Sequence, residues 1–176
     1  ATMKTVIWQE LEKRKRKPDT ILAAMGFCGG VWDQVRAQVR TVIPRVDDCV
    51  SLLLATDDRY IPNRKESGHL YLYEDEPEKF SVLSLLKDYR KASKEFQGLD
   101  ETLFHMWFDQ YYFLDIIDTG YNDCYELAYA EQAQKNADMI HAALDYVQGS
   151  NRILEKLVSG EWDEQFLVAE PGHLIR

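Results

Sequence analysis

The chain has 176 residues, 45% hydrophobic and 12% aromatic, with a formal net charge of −9 and a pI of ≈ 4.9. The aromatic content argues against a disordered chain, the length suits one ordinary core or a core with a small subdomain, and the acidity argues against direct nucleic-acid binding over a broad surface. No apolar run is long enough for a transmembrane helix and no basic-then-apolar leader is present, so the expectation is a cytoplasmic protein with no membrane contact and a native start at Met3.

In chain order, Val6, Ile7 and Leu11 predict a helix over residues 3–17 that ends in Lys13-Arg14-Lys15-Arg16-Lys17, where cations oppose the negative end of the helix dipole. Pro18-Asp19-Thr20 breaks it and starts a helix predicted over 21–27, stopped by Gly29-Gly30. Trp32, Val35, Val39, Val42 and Ile43 recur at helical spacing up to Pro44, and Cys49, Val50, Leu53 and Leu54 continue the pattern. Residues 56–68 read as a loop, and His69-Leu70-Tyr71-Leu72-Tyr73 as a short strand or hairpin ended by Glu74-Asp75-Glu76-Pro77.

Further on, helices are predicted over 78–96, 101–118, 122–148 and 151–159, separated by Gly98, Thr119-Gly120 and Gly149-Ser150. Trp162, Phe166, Leu167 and Val168 give the tail enough apolar surface to dock. Short connections imply antiparallel neighbours. The expected fold is mostly α: a bundle of six to seven helices with one short strand or hairpin near 69–73. It divides into a basic N-terminal helical part, residues 3–66, and an acidic C-terminal bundle, residues 77–176, forming one unit. No internal repeat is read. Cys28, Cys49 and Cys124 are odd in number and lack CxxC spacing, which points to reduced thiols.

Charge is distributed unevenly. Residues 1–66 carry twelve Lys and Arg against nine Asp and Glu, whereas residues 67–176 carry nine against twenty-one. Between Lys94 and Lys135 there is no cation, but there are nine acids: Glu95, Asp100, Glu101, Asp109, Asp115, Asp118, Asp123, Glu126 and Glu131.

Two constellations could use this charge. Glu101, His105 and Asp109 at i, i+4, i+8, with Asp138, His141 and Asp145 at i, i+3, i+7, would line single helix faces, as carboxylate–histidine metal sites in bundles do. On the helices expected here those faces lie away from the apolar stripes, which makes them solvated charge; Glu126 alone falls on the apolar side. In the second constellation, Phe108, Tyr112 and Ile116 form an aromatic and aliphatic ridge among Glu101, Asp109 and Asp115, and Tyr121, Tyr125 and Tyr129 repeat the spacing. Aromatic anchors with a charged rim are what a protein-binding patch needs.

The leading expectation is a binding protein, not an enzyme, with no cofactor and no metal. Its partner is a protein with a basic surface, contacted through Glu101, Phe108, Asp109, Tyr112, Asp115, Ile116, Tyr121 and Tyr125. By analogy of size and charge alone, it is an inhibitor that imitates nucleic acid, of the phage or mobile-element type. The alternatives are a metal-dependent helical enzyme using carboxylate and His ligands, and a homodimeric structural subunit.

Overall fold

Arg40-Thr41-Val42-Ile43-Pro44 holds three consecutive β-branched residues, and it forms a strand rather than the end of a helix. The structure, a computed structural model, describes Thr5, Lys13 and residues 18–55, 65–73 and 101–175, with the side chains of residues 101–104 left out. The helices expected over 3–17, apart from Thr5 and Lys13, and over 78–96 lie outside those residues. Among the described residues there are six strands in two three-stranded sheets and four α-helices. The fold is α/β, and the expected all-α bundle is corrected accordingly. The chain divides into two units: Ala1–Arg64 with Asn151–Arg176, and Lys65–Ser150.

In the first unit, β1 (Thr20–Leu22) runs parallel to β2 (Arg40–Pro44), and β6 (Phe166–Ala169) pairs antiparallel on the other side of β2. The central strand is buried on both faces, so its pattern is a continuous apolar run rather than an alternation. Ile43 packs with Val31, Trp32, Val35 and Ile175. Val42 packs on the other side with Leu52, Ile153, Leu157 and Phe166. Leu52 belongs to α1 (Cys49–Leu54), whose N-cap Asp48 accepts the Ser51 amide at 2.8 Å. Ile153 and Leu157 come from α4 (Arg152–Ser159), which ends on left-handed Gly160. Lys156 on the same helix is buried, yet its ammonium is bonded to Asp163 and to Gln165 at 2.7 Å.

In the second unit, β3 (His69–Leu72), β4 (Phe113–Asp118) and β5 (Ala143–Gln148) form an all-parallel sheet with β4 in the middle. The helix α2 (Glu101–Phe108) precedes β4, and α3 (Leu127–Met139) precedes β5. Leu72, Leu114 and Ile116 pack with Tyr129, Ala133, Ala137 and Ile140 in one core.

The helix expected over 101–118 is therefore cut at Phe108. The Tyr112 and Phe113 amides bond the Gly68 carbonyl at 2.8 and 3.2 Å, which starts the pairing with β3. Phe113, Leu114, Ile116 and Ile117 are apolar positions that fit helical spacing, but equally fit a strand covered on both faces. The helix expected over 122–148 ends at Met139 in a Schellman motif. The Ala142 and His141 amides bond the Ala137 and Asp138 carbonyls, with His141 at φ 57° where glycine is usual.

Candidate functional site

In open parallel sheets, ligands meet the carboxyl ends of the strands and the loops that follow them. In the second unit that edge is built around Asp118, the last residue of β4. Its Oδ1 accepts the Gly120 amide at 2.8 Å, in a tight turn that Gly120 closes at φ 77°. Its Oδ2 accepts the Tyr125 hydroxyl at 2.9 Å. Its carbonyl accepts the Gly149 amide at 2.8 Å and the Gln148 side-chain amide at 3.0 Å, joining the end of β5 to the same point.

Above this turn two tyrosines stack. The Tyr125 and Tyr146 rings are 4.9 Å apart and 12° from parallel. The Tyr146 hydroxyl donates to the Cys124 carbonyl at 3.2 Å. Cys124 is fully buried in the core, so the loop is anchored directly beside the exposed Tyr125. Burial raises the Cys124 thiol pKa above its ordinary value, and the bond to the Asp118 carboxylate raises that of the Tyr125 hydroxyl. Tyr121 is 78% exposed, Tyr125 68% and Leu127 75%. Asp123 and Glu126 are exposed between them.

This edge holds two of the residues singled out from sequence, Tyr121 and Tyr125. It adds Asp118 and Tyr146, which sequence spacing could not bring to Tyr125. The remaining residues lie elsewhere. Glu101 opens α2 with its side chain outside the described residues. Phe108 packs half-buried against the core beside Tyr111. Asp109 and Tyr112 are exposed in the turn before β4, at its amino end. Ile116 is wholly buried and Asp115 is 5% exposed, both inside β4. The ridge of Phe108, Tyr112 and Ile116 therefore does not exist, because helical spacing is lost at Phe108. Tyr129 belongs to the core.

The carboxylate–histidine set is also rearranged. His105 stacks on His141 with ring centres 4.3 Å apart, and its buried Nδ1 has no hydrogen-bond partner. Asp138 binds the Gln134 side chain, and Asp145 accepts its neighbour's amide. Glu126 is exposed at the start of α3 rather than buried. Among the described residues, no three His, Cys, Asp or Glu side chains converge where a metal ion could sit.

One pair is invisible from sequence. Asp115 Oδ2 lies 2.6 Å from His69 Nδ1, and His69 stacks on Phe113 at 4.6 Å. The strand register explains both: His69 stands opposite Phe113, and Asp115 stands between Tyr71 and Asp145. The other Asp115 oxygen is buried with no partner. Burial pushes this carboxyl above its ordinary pKa, against the pull of His69, and Asp145 and Glu66 add to the rise. The pair orients the His69 ring, but the cost of the unpartnered oxygen remains.

The corresponding edge of the first unit is closed by backbone packing. A Cβ on Gly26 would lie 2.8 Å from the Asp48 nitrogen, and the Phe27 amide donates to the Val46 carbonyl at 3.0 Å. The Trp32 indole donates to the Gly26 carbonyl at 3.1 Å. Cys28 and Cys49 flank this contact as half-buried cysteines outside any disulfide. Among the described residues, no helix is long and apolar enough to cross a membrane.

The chain matches no curated protein and no solved structure. A family profile described as "Protein of unknown function (DUF1638)" matches residues 1–158, and the chain belongs to that family.

Proposed function

We propose that this is a binding protein that receives a protein partner with a basic surface on the carboxyl edge of its second sheet. One observation carries the reading: Tyr125 is largely exposed yet held in place by Asp118 below and Tyr146 beside it. An exposed aromatic side chain already fixed in one orientation loses little conformational entropy on binding, so it suits an anchor. The acids along the loop, with no Lys or Arg between residues 94 and 135, supply the charged rim.

The nucleic-acid-mimic version required carboxylates in file along helices. With Asp115 and Asp118 in a strand, the proposal is limited to recognition of positive charge. A homodimer through this edge is disfavoured, because a two-fold contact would set the same acidic rim against itself.

Titration with a labelled octalysine peptide tests the reading. Replacing Asp123 and Glu126 together by Lys should weaken binding about tenfold, or roughly 1.4 kcal/mol. The same double reversal at Asp19 and Glu164, exposed acids of the first unit, should have a much smaller effect. Equal losses from both pairs would mean that net charge alone, not this edge, governs binding.

A further inference from the structure

On that reading, we infer that the group recognised is a planar cation: the guanidinium of an arginine on the partner, laid on the outer face of Tyr125 as a third layer over the Tyr125–Tyr146 stack. The two rings are nearly parallel, so Tyr146 covers one face of Tyr125 and the other is open to solvent, in keeping with its 68% exposure. A Cβ built on Gly120, the turn residue bonded to the same carboxylate, would meet nothing within 4 Å, so the turn beside Asp118 is open.

The electronics favour a cation. Tyr125 donates its hydroxyl proton toward the Asp118 carboxylate, which enriches the ring in electron density and strengthens the attraction of its face for positive charge. Asp123 and Glu126 flank the ring in the chain and are exposed, so they can turn to accept the N–H groups of a bound guanidinium.

The same geometry separates arginine from the alternatives. Lysine carries a compact, strongly hydrated charge that does not stack, whereas guanidinium is flat, weakly hydrated and holds five donors in fixed directions. A nucleobase could stack equally well, but its phosphate would approach Asp118, Asp123 and Glu126 against repulsion.

Two capped octapeptides of equal charge, one alternating Gly and Arg and the other Gly and Lys, provide the test. The arginine peptide should bind about threefold more tightly or better, the size of an exposed cation–π contact. Its side-chain methylene protons should shift upfield in the NMR spectrum, as they do above an aromatic ring. Tyr125→Leu should bring the arginine peptide down to the wild-type affinity for the lysine peptide and leave the lysine peptide little changed. Tyr125→Phe, which keeps the ring, should retain part of the preference. Equal affinity of the wild type for both peptides, or a preference that survives Tyr125→Leu, would overturn this inference and leave the proposed function standing. Failure of both peptides to bind would overturn both.

Discussion

The loop leaving β2 in the first unit runs Arg45-Val46-Asp47-Asp48-Cys49 into α1, and the loop leaving β4 in the second runs Thr119-Gly120-Tyr121-Asn122-Asp123-Cys124 toward α3. Each follows the central strand of a three-stranded sheet, at the end of a parallel pair, and each carries an Asp-Cys step. The outcomes differ. In the first unit the neighbouring loop closes onto this edge through Gly26, and the cysteine stays half-buried. In the second the cysteine is the buried anchor, and tyrosines and acids are left outside. Position in the fold is shared, so it does not single out a site. Ordered side chains left open to solvent do.

The largest expected effects probe what is buried. Lys156→Ala in the first unit should cost about 2–3 kcal/mol in denaturant unfolding, below the usual range for a broken buried pair because Asp163 is partly exposed. Gly26→Ala should cost about as much, roughly 2–3 kcal/mol, because the new methyl group meets backbone that cannot turn aside. Gly120→Ala at the second edge meets no atoms and should cost only about 1 kcal/mol for its left-handed backbone. Equal losses at the two glycines would erase the contrast between the edges.

Smaller effects separate the two units by sign. Bonding to Lys156 lowers the pKa of Asp163, so its contribution to stability is present above the ordinary carboxylate range and is lost as pH falls through the lowered value. Burial raises the pKa of Asp115, so its contribution is present below the ordinary range and is lost as pH rises through the raised value. Asp115→Asn should therefore flatten part of the acid-side stability profile, and it should change stability at neutral pH by less than about 1 kcal/mol. Asp115→Ala, which strips His69 Nδ1 of its partner, should cost about 1–3 kcal/mol. Smallest of all is a difference in rate: a small alkylating agent on the native protein should label Cys28 and Cys49 before the fully buried Cys124, as peptide mass mapping would show.

How much of this was legible in the sequence depended on whether the determining contacts were local. The pattern of Cys49 to Leu54 read as a helix and is one, and so did residues 151–159; His69 to Tyr73 read as a strand. β4 did not, because a central strand covered on both faces shows apolar residues at 113, 114, 116 and 117, which a helix would also permit. β5 was hidden by a helix stop that uses His141 in place of glycine. At the candidate site, Tyr121 and Tyr125 stood out as aromatics among acids. Asp118 joins Tyr125 through the turn that Gly120 closes, and Tyr146 only through the strand pairing that sets β5 beside β4.

The most direct test of the central claim is a map of backbone amide shifts as the alternating Gly-Arg octapeptide is titrated into isotopically labelled protein. The shifts should fall on residues 118–126 and 146–149. They should collapse between about 0.1 M and 1 M salt, as the screening length contracts from about 10 Å to about 3 Å. Shifts gathered instead at residues 26–30 and 46–49 of the first unit, or a pattern indifferent to salt, would contradict the assignment of this edge as the contact surface.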